Sequence, residues 1–157
     1  LRAVIEESAA ASGLLAEHRA RLHLMLPDAL PHVTADRDRV VQVLLNLLSN
    51  AAKFCDRQSG LITVRAAICD DAVRVEVRDN GPGIPPEQRE YIFEKFRQGG
   101  DTLTNKPQGT GLGLPISRQI ITHLGGTLWL EDAPGGGAVF AFTLPVAAAV
   151  EREGVRA

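Results

Sequence analysis

The sequence DRVVQVLLNLLSNAAK, residues 38–53, organises this chain. At 100° per residue its polar side chains fall in one stripe about 120° wide, and every other position is apolar or alanine. The pattern therefore predicts a central helix that is buried on most sides. The polar stripe comprises Asp38, Arg39, Gln42, Asn46, Ser49, Asn50 and Lys53.

The middle of this stripe holds Asn46 and Asn50, and Lys53 follows one turn later. Surface helices usually carry Glu, Lys or Arg there, whereas a half-buried amide needs partners for both its oxygen and its NH2 group. At this spacing the two amides and the ammonium face the same neighbour. They suit a hydrated Mg2+ that a phosphate ligand carries, because Mg2+ keeps its waters and takes few protein oxygens. Taken alone, the helix favours the plainer interpretation, a polar seam satisfied by neighbouring loops.

Composition limits the classes of function. The chain has 157 residues and a formal net charge of −2, which predicts a single domain and argues against a nucleic-acid partner. Cys55 and Cys69 are too few for a disulfide scaffold and form no metal-binding pair, which indicates a reducing intracellular setting. No apolar run reaches about 18 residues, so we expect a cytoplasmic domain without direct membrane contact. Because the sequence starts at Leu1 rather than Met, we expect a longer parent protein, for which a membrane anchor stays open.

The flanking patterns place the remaining elements. Asp36 is a predicted N-cap of the central helix. The polar, glycine-containing residues 98–108 predict a mobile loop long enough to be a lid. We predict helices at residues 3–16, 86–93 and 112–124, and strands at residues 21–26, 61–68, 72–79, 127–131 and 138–144.

Asp79 ends one predicted strand and begins the sequence DNGPGIP, residues 79–85. Gly81 and Gly83 allow the backbone to approach a ligand closely. A carboxylate at this point can accept a hydrogen bond from an exocyclic amine such as adenine N6, whereas guanine would present an acceptor there and be repelled. From these residues alone, an Asp that caps a turn explains the pattern equally well.

A second glycine-rich sequence, GTGLGL at residues 109–114, precedes the predicted helix 112–124. Glycines at a helix N-terminus leave backbone N–H groups free to face an anion, which the helix dipole also favours. The sequence is neither a P-loop, which needs GxxxxGK followed by Ser or Thr, nor a dinucleotide fingerprint, which follows a strand as GxGxxG.

Four motifs together resemble a known family. NLLSNAAKF (46–54), DNGPGIP (79–85), IFEKFRQ (92–98) and GTGLGLPISR (109–118) resemble, in this order, the N box, first glycine box, F box and second glycine box of the catalytic ATP-binding domain of sensor histidine kinases. This resemblance to Bergerat-type ATPases runs from about residue 21 to residue 145. It implies a two-layer α/β sandwich, with a mixed sheet of about five strands and helices on one face. Residues 1–145 would form the domain, and residues 146–157 a flexible tail or linker.

The resemblance also implies roles for single residues. By position, Asn50 resembles the Mg2+ ligand, Asn46 a catalytic polar group near the phosphates of ATP, and Lys53 a catalytic phosphate contact. Asp79 resembles the adenine acceptor, in a base pocket shaped by Gly81, Gly83 and Ile84. The implied phosphate cradle comprises Gly109, Thr110, Gly111, Leu112, Gly113 and Leu114; the lid anchors are Phe93 and Phe96, and the candidates for the terminal phosphate are Lys95 and Arg97.

Three positions depart from the family pattern. Many relatives carry a basic residue at the position of Gln98, which bears on the role of Arg97. Ser or Thr is common at the position of Cys55. A hydroxyl is common at the position of Ala138, so its absence predicts the loss of a hydrogen bond near the adenine.

Asn46 discriminates between branches of the superfamily. Branches that resemble gyrase, Hsp90 and MutL carry Glu at this position, a general base that activates water. An amide cannot take up a proton near neutral pH. We therefore expect slow hydrolysis of ATP, with the γ-phosphoryl group kept for another acceptor and its transfer resting on positioning and charge neutralisation.

The acceptor is expected on another domain. None of the four histidines stands in a setting like S-H-E-[LF]-R-T-P. We therefore expect a catalytic domain that phosphorylates a histidine-bearing dimerisation domain, acts upstream of a response regulator, and does not phosphorylate itself. Two alternatives stay open: a non-catalytic nucleotide-binding module that docks partners, and a serine kinase or hydrolysing ATPase, which Asn46 disfavours.

Overall fold

The computed structural model describes residues 1–13, 19–94 and 112–148 of the chain. Within these ranges three helices, five strands and one 3-10 turn are present. They are α1 (Arg2–Ala11), β1 (Arg21–Met25), α2 (Arg37–Phe54), β2 (Leu61–Cys69), β3 (Ala72–Asp79), the 3-10 turn (Pro86–Gln88), α3 (Gly113–His123), β4 (Leu128–Asp132) and β5 (Ala138–Pro145).

The five strands form one mixed sheet in the order β1-β2-β3-β5-β4. β1 runs parallel to β2, whereas the other neighbours are antiparallel. Every second residue of β3 is buried, from Val73 through Val75 and Val77 to Asp79, because the helices cover that face of the sheet. The predicted α/β architecture is confirmed, and Asp79 is the last residue of the covered face.

The central helix α2 matches its sequence pattern. The Asp36 carboxylate accepts hydrogen bonds from the backbone N–H groups of Asp38 (2.9 Å) and Arg39 (3.3 Å), so the predicted N-cap is confirmed. Asn46 and Asn50 are half-buried on the polar stripe. The apolar side of the helix packs into the core through Val40, Val43, Leu44, Leu47, Leu48, Ala51 and Ala52.

Two predicted helices differ in extent. The predicted helix 3–16 is observed as Arg2–Ala11, and residues 14–16 of the prediction lie outside the described ranges. The helix ends where Ser12 and Gly13 follow, because the Ser12 hydroxyl donates to the Ala9 carbonyl and glycine disfavours the helix. The predicted helix 86–93 is wrong: only Pro86–Gln88 is regular, as a 3-10 turn. So short a segment cannot offset the cost of helix nucleation, and it forms mostly turns closed over three residues.

Other predictions fall partly outside the described ranges. The predicted loop 98–108 lies outside them entirely. At the C-terminal side, the chain still contacts the domain beyond Pro145, since the Val146 N–H donates to the Asp71 carbonyl and the Ala147 N–H to the His32 carbonyl. In the described part of the chain, no helix has the length and apolar character that crossing a membrane requires.

The core packing of α2 gives a stability prediction. Leu47 is fully buried in the core, whereas Leu45 on the same helix is half-buried and lies outside the core cluster. Leu47→Ala should lower the free energy of unfolding by about 2–5 kcal/mol, because it removes transfer free energy and leaves a cavity. Urea denaturation measures the loss, and Leu45→Ala is the matched control with a smaller effect. Equal losses in both variants would contradict the assigned face of α2.

Candidate functional site

Asp79 is a buried carboxylate at the end of β3. Its side chain is 5% exposed, and Oδ1 accepts hydrogen bonds from the backbone N–H groups of Gly81 (2.9 Å) and Ala138 (3.4 Å). Burial raises the pKa of Asp79, while the two N–H donors and the charge of Arg78 act in the opposite direction. Both bonds from the described residues end at Oδ1, which leaves Oδ2 as an acceptor for a ligand.

Close backbone contacts hold the first glycine motif. A Cβ atom on Gly81 would lie 1.8 Å from the carbonyl oxygen of Phe54, the last residue of α2. Gly137, which has φ +90°, would likewise place a Cβ atom 2.0 Å from the carbonyl oxygen of Asp79. Only glycine permits these approaches, so the end of β3 is fixed between the end of α2 and the turn before β5.

Asn80 is a residue of this site whose role the sequence did not reveal. Its Oδ1 accepts hydrogen bonds from the N–H groups of Asp56 (3.2 Å) and Leu61 (2.9 Å), and its Nδ2 donates to the Ser59 carbonyl (2.7 Å). The side chain therefore holds the loop between α2 and β2 against the glycine motif. An amide between Asp79 and Gly81 was the available signal, but its partners lie far away in sequence.

Asn46 contacts the beginning of α3. Its Nδ2 donates a hydrogen bond to Ser117 Oγ at 2.7 Å, and a Cβ atom on Gly113 would lie 2.3 Å from its Oδ1. These residues line a cleft of ≈ 180 Å³ together with Gln42 and Ile116. The structure thus brings Asn46 and Gly113 together, and it adds Ser117, which the sequence did not single out.

The two groups of residues lie at different positions along α2. Phe54 contacts the glycine motif of Asp79, whereas Asn46 contacts α3, and the separation is about 12 Å along the helix axis. Asn50 lies between them, and its amide has no hydrogen bond to the residues that the structure describes. This arrangement suits an elongated ligand with an amine-bearing base at one end and an anion at the other.

The electrostatics at the Asn46 end suit an anion. No side chain among the described residues caps the N-terminus of α3, and the N–H groups of its first turn and its dipole favour a negative group. Among the described residues no group of three or more His, Cys, Asp or Glu side chains could hold a metal ion. The amide oxygens of Asn46 and Asn50 are neutral ligands of the kind that suits a hydrated Mg2+ carried by a phosphate ligand.

The other predicted site residues have separate environments. Phe93 is half-buried and packs edge-on against Phe140, with the two ring centroids 6.2 Å apart. The Cζ atom of Arg118 lies 4.7 Å from the centroid of the Phe93 ring. Lys53 is exposed at the end of the polar stripe of α2. Ile84 and Leu114 pack on the core, and Leu112 precedes the first turn of α3. The described ranges do not include Lys95, Phe96, Arg97, Gly109, Thr110 and Gly111, which stay predictions.

A wider groove of ≈ 270 Å³ lies along β4 and includes only Phe93 among the predicted site residues. Its two arginines already have partners, since Arg89 forms an ion pair with Asp132 and Arg118 lies over the Phe93 ring. The smaller cleft at Asn46 is therefore the better candidate for the anion.

Two departures from the family pattern have a structural explanation. The Cys55 thiol is buried and donates to the Ala52 carbonyl at 3.3 Å; burial, reinforced by the charge of Asp79, raises its pKa and keeps it protonated. It thus behaves as a small apolar side chain. Ala138 has no hydroxyl, but its backbone N–H donates to Asp79, so the carboxylate keeps one donor from this strand.

Comparisons with known proteins show the family to which this chain is similar. Residues 35–148 match the family described as "Histidine kinase-, DNA gyrase B-, and HSP90-like ATPase". The sensor histidine kinase AruS of Pseudomonas aeruginosa is 44% identical over 113 residues, which cover 69% of this chain and 11% of the relative. The chain spans between 11% and 35% of the length of the curated relatives it matches here.

Solved structures show the same fold. The catalytic domain of the histidine kinase ThkA is 33% identical, with a TM-score of 0.78 over 93% of this chain and 94% of that domain. Full-length ShkA in complex with AMPPNP is 32% identical, with a TM-score of 0.77 over 94% of this chain and 30% of that protein.

The buried carboxylate gives a prediction for stability against pH. Because the folded pKa of Asp79 is raised, its stabilising contribution is complete below the unfolded value near 3.8 and is lost as the pH rises through the folded pKa. At neutral pH, Asp79→Asn should remove the cost of the buried charge while keeping an acceptor for Gly81 and Ala138. The melting temperature of the nucleotide-free protein should rise by about 2–4 °C, the effect of about 1 kcal/mol in a domain of this size.

Thermal unfolding between pH 4 and pH 8 measures this gain, which should shrink toward pH 4. Asp71→Asn is the matched control, because Asp71 is exposed and its charge is already solvated. A melting temperature of Asp79→Asn at or below that of the native chain at neutral pH would contradict the prediction.

Proposed function

We propose that this chain donates the γ-phosphoryl group of ATP to a histidine on a separate dimerisation domain. The chain belongs to the family of histidine kinase-, DNA gyrase B- and HSP90-like ATPases and is the catalytic ATP-binding domain of a sensor histidine kinase. The observation that supports this most is that α2 contacts both parts of the candidate site. The glycine motif next to Asp79 packs against the end of α2, and the N-terminus of α3, which no described side chain caps, packs against Asn46 of α2.

Asp79 would recognise the adenine. Its Oδ1 already accepts two backbone hydrogen bonds, so Oδ2 is the atom that would accept a hydrogen bond from the adenine amine. In a buried site this bond gains strength because water does not compete. Gly81, Gly83 and Ile84 would form the wall of the base pocket, in which a guanine carbonyl would face the carboxylate and be repelled.

Asn46, Asn50 and Lys53 would hold the other end of the nucleotide. Mg2+ bound to the phosphates neutralises part of their charge, and the Asn50 amide oxygen would be its protein ligand. Lys53 would contact a phosphate, and the first turn of α3 would supply N–H donors. Lys95 and Arg97 remain proposed contacts of the terminal phosphate, together with a cradle at residues 109–111.

Asn46 determines what happens to the γ-phosphoryl group. Because an amide cannot act as a general base near neutral pH, this chain would activate water poorly and hydrolyse ATP slowly. The same amide would hold the phosphates in place until an acceptor histidine arrives. Transfer would then depend on positioning and charge neutralisation.

The partners follow from this role. We propose that residues 1–145 act as the catalytic domain and that residues 146–157 form a tail or a linker. The acceptor would be a histidine-bearing dimerisation domain of the same or a paired chain, and a response regulator would receive the phosphoryl group next. The domain would work in the cytoplasm, where ATP is available.

Nucleotide selectivity tests the adenine site. A saturating concentration of Mg-ADP, at about 100 times its dissociation constant, should stabilise the native chain by about 2.7 kcal/mol, whereas Mg-GDP should have little effect. The increase in melting temperature with Mg-ADP should be smaller in Asp79→Asn and unchanged in Asp71→Asn. Equal stabilisation by both nucleotides would contradict the role of Asp79, and no stabilisation by either would contradict nucleotide binding by this chain.

Phosphoryl transfer tests the catalytic role. With γ-labelled ATP, the chain alone should take up no label, and a supplied dimerisation domain should take up acid-labile label. The same domain with its acceptor histidine replaced is the control. Stoichiometric acid-labile label on the chain alone would contradict the proposal, and acid-stable label on a serine would favour the serine kinase.

A further inference from the structure

We propose that Ser117 is a positioning residue, which orients the amide of Asn46 toward the phosphate end of the nucleotide. This inference rests on the proposed function. Ser117 was not among the candidate site residues, although it lies on α3 within the second glycine box GTGLGLPISR (109–118).

The Ser117 hydroxyl is buried with Asn46 as its partner. Its side chain is 1% exposed, and its Oγ accepts the hydrogen bond from Asn46 Nδ2 at 2.7 Å, across 71 residues of sequence. A buried amide or hydroxyl that loses its partner is destabilising, so this bond holds both groups in place.

Gly113 restrains the other side of the same amide. Its Cα lies so close to Asn46 that a Cβ atom would be 2.3 Å from Oδ1 and 2.9 Å from Nδ2. With Nδ2 bonded to Ser117, the carbonyl oxygen of Asn46 faces the beginning of α3. An amide without such anchors can rotate and exchange its oxygen and nitrogen, which present opposite hydrogen-bonding characters to a ligand.

The chemical consequence concerns the phosphate end alone. Oriented in this way, Asn46 presents an acceptor to water or to Mg2+ near the phosphates, and not an N–H donor. Because Ser117 lies one turn into α3, the bond also fixes the N-terminus of α3 against α2. Ser117 would therefore affect nucleotide binding only through Asn46.

A double-mutant cycle on Mg-ADP binding, measured by calorimetry, tests this coupling. Ser117→Ala should weaken binding about fivefold to tenfold, the effect of one hydrogen bond. Asn46→Ala should weaken binding at least as much. In the Asn46→Ala background, Ser117→Ala should change the affinity less than about twofold, because the group through which it acts is gone.

Two further variants separate hydrogen bonding from packing. Ser117→Cys keeps nearly the same volume but is a poor hydrogen-bonding partner, so it should bind Mg-ADP as weakly as Ser117→Ala. Ser8 is a matched buried serine, 2% exposed, whose hydroxyl donates to the Val4 carbonyl within α1, and Ser8→Ala should leave the affinity unchanged. Thermal unfolding of each variant verifies that it is folded.

The outcomes distinguish this inference from the proposed function. The role of Ser117 would be overturned if Ser117→Ala bound Mg-ADP with native affinity, or if the two losses of affinity multiplied in the double variant. ADP binding by the native chain would still stand. Native-like binding by Ser117→Cys would also overturn it, since packing would then be the cause. If the native chain does not bind Mg-ADP, the proposed function fails and the inference fails with it.

Discussion

The close approach of Gly81 to the carbonyl oxygen of Phe54 is the constraint on which the candidate site depends. It places the end of β3 against the end of α2 with no room for a side chain. Because Asp79 is two residues away and belongs to the covered face of the sheet, this contact determines where its carboxylate points. Asn80 reinforces the contact from the other side through three hydrogen bonds to the loop between α2 and β2. The backbone contact and the three hydrogen bonds of Asn80 together restrain this end of the candidate site.

The buried carboxylate of Asp79 opposes stability and, in the proposed function, would serve recognition. Burial raises its pKa, and two backbone N–H groups only partly offset the cost of desolvation. A protein selected for stability alone would have an amide or an apolar residue here. Functional sites commonly retain such costs because an acceptor in a dry pocket discriminates strongly between ligands with opposite hydrogen-bonding patterns. The well-packed core under α2 supplies the stability that makes this cost tolerable.

Periodicity predicted the parts of the fold that repeat. The polar stripe of α2, the Asp36 cap and the alternation of β3 each follow from local spacing, and all three are confirmed. The spacing of apolar residues did not predict the end of α1, which Ser12 and Gly13 determine. It also did not predict the 3-10 turn at residues 86–88, where the cost of helix nucleation decides the outcome. It also missed Asn80 and Ser117. Their partners lie across the fold, at up to 71 residues in sequence, and nothing in the residue type indicates them.

The two ends of the candidate site are built from different interactions, and this difference affects how each can vary. Backbone contacts of Gly81 and Gly137 form the base end, where any side chain would collide with a carbonyl group. The phosphate end is joined by side chains of two helices, α2 and α3, through Asn46 and Ser117. A side-chain hydrogen bond contributes about 1 kcal/mol, so its loss shifts affinity without unfolding the site. Under the proposed function, base specificity would depend on backbone contacts of the fold, whereas single substitutions on α3 would adjust the strength of phosphate binding.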